Sequence, residues 1–119
     1  SADVEFPQNG AIANTNIGRL NNTTFLLSSI GTYLITVNVP VPEAGQLVLT
    51  LNGAELPYTV FGRATGTSDI AGTAIVTTDT ANSTLTVRNP AANTTALTIT
   101  PTAGGTLPSS THLTIVQLA

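Results

Sequence analysis

The chain has 119 residues, of which only 8% are charged, against roughly 25% in an ordinary soluble domain. Its net charge of −3, with three arginines and no lysine, cannot neutralise a row of phosphates, which argues against nucleic acid and membranes as partners. The absence of cysteine excludes disulfides, a thiolate nucleophile and a thiolate metal site. The length fits a single domain over residues 1–119, with one hydrophobic core.

In chain order, the first clear strand pattern runs from Thr32 to Val39, where apolar residues alternate with other residues along the chain. A second alternating stretch runs from Gln46 to Leu51. The Asn52-Gly53 pair that follows predicts a tight hairpin turn into Ala54–Phe61, because both residues tolerate a positive φ.

Further strand patterns follow at Thr73 to Thr77, Ser83 to Arg88, Ala96 to Thr100 and His112 to Leu118. Turn residues separate the strands by about 8 to 12 positions, a spacing typical of sandwiches and barrels. Threonine is abundant and no amphipathic stretch of roughly 11 residues is free of Gly, Pro and Asn, so we expect almost no helix. The predicted core contains Tyr33, Ile35, Val37, Leu49, Leu113 and Ile115.

Some apolar residues fall on the opposite side of their strands from the core positions, namely Leu34, Val48, Val76, Val116 and Leu118. In a chain with so few charges and a positive mean hydropathy, this outward set favours a second buried surface between subunits. We therefore expect self-association. The predicted subunit interface contains Leu34, Val48, Val116 and Leu118.

Four segments carry a family resemblance: Phe25 with Gly31–Val37, then Leu49–Ala54, Ala71–Val76 and Leu113–Leu118. In order and spacing they are similar to the Gly-x-Tyr strand, the next hairpin, the Ser-Gly-Ser-Ala strand and the closing strand of C1q and tumour-necrosis-factor-like domains. Within that superfamily, the chain most resembles the C-terminal domain of BclA-type collagen-like glycoproteins of the bacterial spore exosporium. Leu34 and Ile35 replace aromatic residues typical of mammalian relatives, so a receptor function is not carried over.

The resemblance implies an all-β, two-sheet antiparallel jelly-roll sandwich that assembles as a homotrimer above an upstream collagen-like stalk. It implies an extracellular, structural role on the spore surface, as a cap that trimerises the filament and supports exposure or adhesion. The alternative function is a receptor- or carbohydrate-binding tip of a phage fibre or bacterial adhesin, with a host or surface ligand. Neither function requires a cofactor.

The sequence offers little for catalysis. His112 is the only histidine and stands beside Ser110 and Thr111, whose hydroxyls it would be placed to deprotonate, but no carboxylate is near it in sequence. Asp3 and Glu5 share a strand face, yet an exposed pair two residues apart is more typical of a solvated terminus than of a glycosidase dyad. We therefore assign no catalytic residue and expect that the protein is not an enzyme.

Calcium is the most reasonable metal, because Glu43, Asp69 and Asp79 lie in predicted loops and offer oxygen ligands. No Asp-x-Asp-x-Asp loop is present, so no metal site is assigned. The N-glycosylation sequons are interpreted as surface loops only, and they begin at Asn21, Asn22, Asn82 and Asn93.

Carbohydrate binding would require an exposed aromatic ring beside amide groups. Tyr58 and Phe61, near Arg63, are the candidates for such a platform. We expect both rings instead to pack under the predicted hairpin.

Overall fold

The computed structural model describes residues 2–6, 16–41, 44–64, 69–92, 97–99 and 111–119. The strands are β1 (Ile17–Arg19), β2 (Phe25–Leu27), β3 (Thr32–Pro40), β4 (Gly45–Leu51), β5 (Ala54–Glu55), β6 (Phe61–Arg63), β7 (Asp69–Thr77), β8 (Ser83–Arg88) and β9 (His112–Gln117). The described residues contain one short 3-10 helix, Pro57–Thr59, so the prediction of an all-β protein is confirmed. No helix among them is long and apolar enough to cross a membrane.

The strands form two antiparallel sheets. One has the order β1-β2-β8-β4, with β5 and β6 both paired to the remaining edge of β4. The other has three strands in the order β7-β3-β9. The chain crosses between the sheets after β2, β3, β6, β7 and β8, so the two sheets are built from interleaved segments of sequence.

The core contains the inward side chains of both sheets. In the three-stranded sheet, the alternation predicted for β3 holds, and its inward residues are at most 1% exposed: Tyr33, Ile35, Val37 and Val39. The six-stranded sheet contributes Leu47, Leu49, Leu85 and Val87, which are equally buried. Leu113 and Ile115 of β9 are partly buried and pack against this cluster. Burial of each large aliphatic side chain contributes about 1.5 to 3 kcal/mol, which lets the core hold without cross-links.

The predicted Asn52-Gly53 turn is confirmed. Asn52 has φ 53° and Gly53 has φ 85°, and the turn sets Leu51 opposite Ala54 in the β4–β5 pair. The single strand predicted for Ala54–Phe61 is wrong, because a helical turn divides it into β5 and β6. Pro57 has no N–H to give to a ladder and begins that turn.

Side-chain hydrogen bonds replace the missing ladder at this interruption. The Thr59 hydroxyl accepts a hydrogen bond from the Leu49 N–H at 3.0 Å and donates to the Leu56 carbonyl at 2.8 Å. Thr59 is fully buried, and its hydroxyl satisfies the Leu49 N–H, which β5 and β6 leave unpaired on β4.

Other boundaries also differ from the prediction. β7 begins at Asp69 rather than Thr73, because it pairs with β3 along the whole length of that strand. β1 and β2 were not predicted, since three residues are too few to show an alternation. Within the predicted strand Ala96–Thr100, only residues 97–99 are described, and they are not in a strand, although Leu97 and Ile99 pack against the core.

The N-terminal segment continues the edge of the six-stranded sheet along β8. The Val4 N–H donates to the Val87 carbonyl at 2.7 Å, and the Asp3 carboxylate accepts from Arg88 Nε at 2.7 Å. Phe6 is buried and meets the Phe25 ring edge-on, with ring centroids 5.7 Å apart. These contacts fix residues 2–6 to the sandwich.

Candidate functional site

The outer face of the three-stranded sheet is the side of β7, β3 and β9 that points away from the core. Cross-strand pairing places Ile75, Leu34 and Val116 side by side in one row across this face. Ile75 is 56% exposed and Val116 is 45% exposed, whereas Leu34 is half-buried between them on the central strand. An apolar row thus crosses the exposed face of the sheet.

Threonine rows lie on both sides of the apolar row. On one side, Thr36 lies between Thr73 and Thr114, and on the other, Thr32 lies opposite Thr77. The hydroxyl oxygens of Thr36 and Thr73 are 3.2 Å apart, and those of Thr32 and Thr77 are 3.4 Å apart, so each pair shares a hydrogen bond. Because one hydroxyl of each pair already donates to the other, the free-energy cost of removing water from these pairs is lower than for unpaired hydroxyls.

These three rows contain no ionisable side chain. The nearest such groups on the same face stand further along the strands: His112 is opposite Asn38, and Asp69 is opposite Pro40. Burying the rows would therefore desolvate no formal charge, and charge burial is the most expensive component of covering a protein surface.

Three of the four residues predicted for a subunit interface belong to this region. Leu34 and Val116 lie in the apolar row, and Leu118 follows β9 directly and is 52% exposed. The Leu118 N–H donates to the Thr32 carbonyl at 2.7 Å, which holds it beside the face.

The structure corrects the expectation that Val48 and Val76 lie on the surface. Val76 is opposite Tyr33, faces the core and is fully buried. Val48 is on the other sheet, opposite Arg88, and is 1% exposed, so it belongs to no exposed surface of this chain. Sequence reasoning also missed Ile75, because it placed Val76 rather than its neighbour on the outward side of β7.

The polar residues singled out for chemistry are not brought together. His112 is exposed, and no hydrogen bond in the described part of the chain joins it to a carboxylate. The Asp3 carboxylate is engaged by Arg88, while Glu5 is exposed beside it. The described residues thus place no acid or base partner against His112.

No group of three metal-ligating side chains occurs among the described residues. Asp69 begins β7 and Asp79 lies two residues beyond its end, so the length of a nine-residue strand separates these two candidates. Glu43 lies outside the described residues.

The structure changes the interpretation of the aromatic residues. Tyr58 is 65% exposed on the helical turn between β5 and β6, so the expectation that it packs under the hairpin is wrong. Phe61 is half-buried and packs against the core, and Arg63 Nη2 donates to the Val41 carbonyl at 2.5 Å. Tyr58 is therefore the one exposed aromatic side chain among the five in the sequence, all of which are described.

The sequons have the surface positions expected of them where they are described. The asparagines of three lie exposed in loops, at Asn21, Asn22 and Asn82. Asn93 lies outside the described residues.

No protein-family model matches this chain, and no curated protein matches it. The candidate site is therefore defined by its geometry and composition, and its best-supported feature is the apolar row between threonine rows on the outer face of the three-stranded sheet.

Proposed function

We propose that this chain is a structural and interaction module that assembles as a homotrimer through the outer face of its three-stranded sheet. In this proposal it forms the C-terminal cap of a collagen-like filament protein on the surface of a bacterial spore, where it trimerises the filament and exposes an inert or adhesive surface. The observation that carries the proposal is the apolar row of Ile75, Leu34 and Val116 between threonine rows without ionisable groups.

The order of strands supports the finer fold assignment, a jelly roll. Jelly rolls are double-sheet sandwiches made of Greek keys, in which the chain passes repeatedly from one sheet to the other. Here β2, β4 and β8 lie in one sheet, and β3, β7 and β9 lie in the other. The segments that resemble C1q and tumour-necrosis-factor-like domains supply β3, the β4–β5 hairpin, β7 and β9.

The composition of the outer face supports subunit contact in physical terms. Subunit interfaces have an apolar centre depleted of charges, and the rows provide this arrangement across three strands. Exposed Ile75 and Val116 would lose unfavourable contact with water on assembly. The hydroxyl pairs on either side lower the cost of covering their threonines.

Sedimentation equilibrium tests the oligomeric state, with three times 12.1 kDa expected. Ile75→Asp and Val116→Asp should weaken the trimer by about 100-fold or more, because each places an unpaired carboxylate in the contact. Leu34→Asp should do the same, although its half-buried position means that it also strains the single subunit.

Thr84→Asp is the matched control, since Thr84 lies on β8 in the other sheet. It should leave the trimer intact. A stable monomer for the parent chain would overturn the proposal, as would equal tolerance of aspartate at positions 75, 116 and 84. Gly-x-y repeats in the sequence that precedes this segment would support the filament role, and their absence would argue against it.

One observation favours the alternative function, a receptor- or carbohydrate-binding tip. Tyr58 is 65% exposed, and an exposed aromatic ring is the usual surface on which sugar rings stack. A glycan array with the parent protein and Tyr58→Ala separates the two functions. Binding that is lost in the variant would support the tip, and absence of binding would favour the structural cap.

A further inference from the structure

The Asn52-Gly53 turn contains a reactive dipeptide whose asparagine is held by three hydrogen bonds to β8. In an asparagine-glycine pair, the glycine nitrogen can attack the asparagine side-chain carbon Cγ. A new N–Cγ bond forms, and the side-chain nitrogen leaves as ammonia with the proton of the glycine N–H. Water then opens the cyclic succinimide to aspartate or isoaspartate. Gly53 has no side chain to shield its nitrogen, and a Cβ built on it would meet nothing within 4 Å.

The backbone conformation of Asn52 disfavours this ring closure. Its φ of 53° lies in the left-handed region, where ψ is about +47°. That ψ puts the following nitrogen on the opposite side of the Cα–C bond from Cβ. The Gly53 nitrogen therefore points away from the carbon it would attack, and ring closure requires the turn to change conformation.

The side chain of Asn52 is held as well. Its Oδ1 accepts from the Thr84 N–H at 2.9 Å, and its Nδ2 donates to Ser83 Oγ at 3.3 Å. The Asn52 N–H also donates to the Thr84 carbonyl at 2.8 Å. The start of β8 thus binds the main chain and both ends of the side-chain amide.

Ser83 is itself fixed for this role. It is 1% exposed, and its hydroxyl donates to the Thr80 carbonyl at 2.9 Å, so its oxygen accepts from the Thr80 hydroxyl at 3.1 Å and from Asn52. An aspartate at position 52 would place a carboxylate oxygen beside Ser83 Oγ, and Ser83 already donates its hydroxyl proton to the Thr80 carbonyl. The modified product therefore fits the folded site less well than the asparagine does.

We propose that Asn52-Gly53 is a latent site of spontaneous deamidation that β8 keeps closed in the folded chain, so that its modification reports opening of the β4–β5 hairpin. The proposal is independent of oligomeric state. It assigns the Asn52 contacts with Ser83 and Thr84 a chemical role beyond holding the turn.

The test follows deamidation at pH 8 and 37 °C by peptide mapping of the folded protein and of the protein in urea. Asn9-Gly10, whose asparagine and glycine lie outside the described residues, provides the same dipeptide as an internal reference in urea. We expect both sites to react at similar rates in urea. In the folded protein, Asn52 should react at least about tenfold more slowly than in urea, because two side-chain hydrogen bonds must open first.

Ser83→Ala should raise the folded-state rate at Asn52 by about fivefold, the factor that corresponds to one typical hydrogen bond. Thr84→Ala is the control, because it keeps the N–H that binds Asn52 Oδ1. Circular dichroism establishes that each variant is folded. The proposal is overturned if folded Asn52 reacts as fast as it does in urea, a comparison that needs no variant. It is also overturned if folded Ser83→Ala and Thr84→Ala react alike.

Discussion

Replacing Gly72 with alanine tests how β6 and β7 pack together. Gly72 lies on the inward side of β7, opposite Val37, and its φ is not in the left-handed region, so its own backbone would accept a side chain. The obstacle is the Phe61 ring of β6. A Cβ at position 72 would lie 2.1 Å from Phe61 Cδ1 and 2.5 Å from Cγ.

Cγ is the ring atom bonded to Cβ, so rotating the ring about that bond leaves Cγ in place, and the whole side chain or a strand must move. Overpacking of this kind costs about 1 to 3 kcal/mol. Alanine also stabilises the folded state by about 0.5 to 1 kcal/mol, because it restricts the unfolded chain more than glycine does. An approach of 2.1 Å places this case in the upper part of that range, so we expect Gly72→Ala to lower the free energy of unfolding by about 1 to 2.5 kcal/mol.

A double-mutant cycle measured by urea denaturation tests whether the destabilisation by Gly72→Ala comes from contact with the Phe61 ring. Phe61→Ala alone should cost about 2 to 3 kcal/mol, less than for a fully buried phenylalanine. In the Phe61→Ala background, Gly72→Ala should cost nothing or stabilise by about 0.5 kcal/mol, because the methyl enters space that the ring has left. All proteins are compared at one protomer concentration, since assembly would shift apparent stability.

Gly62→Ala is the control, because a Cβ there would lie 3.5 Å from Gln46 Cγ, an ordinary contact. It should leave the free energy of unfolding unchanged or raise it by up to about 1 kcal/mol, because alanine restricts the unfolded chain there without meeting an obstacle. Two results would refute the packing argument: a Gly72→Ala variant as stable as Gly62→Ala, or an unchanged cost of Gly72→Ala when Phe61 is alanine.

Two further predictions concern the core and the durability of the fold. Tyr33→Ala should lower the free energy of unfolding by about 3 to 5 kcal/mol in thermal melts, because the ring is fully buried and its hydroxyl donates to the Ser29 carbonyl at 2.6 Å. A variant that melts like the parent would contradict this. The three possible trypsin sites all lie in strands: Arg19, Arg63 and Arg88. The chain also has no Met, Cys or Trp to oxidise. The intact mass should therefore persist through hours of incubation with trypsin and peroxide at elevated temperature. Rapid cleavage at Arg19 or Arg63 would argue against a compact, exposed cap.

The parts of the fold that the sequence predicted are those in which local pattern and local chemistry agree. β3 alternates over nine residues and its inward side is core, so period-two alternation was sufficient there. The Asn52-Gly53 turn was predicted because few residue pairs accept two positive φ values in succession. The strand after it was predicted as continuous, yet Pro57 begins a helical turn there. The Thr59 hydroxyl in this turn binds the Leu49 N–H of β4, a partner that only the tertiary structure supplies.

The candidate site depended more strongly on tertiary structure. The sequence by itself determined that this chain has a surplus of apolar residues on a second side of its strands, and it placed Leu34 and Val116 there. Only the pairing of β7 with β3 decided that Ile75, not Val76, joins them, because a strand pattern identifies two sides but not which one faces the core. Likewise, only the packed chain decided that Val48 is buried and Tyr58 exposed, since exposure depends on which distant segments cover a residue, and alternation carries no information about those segments.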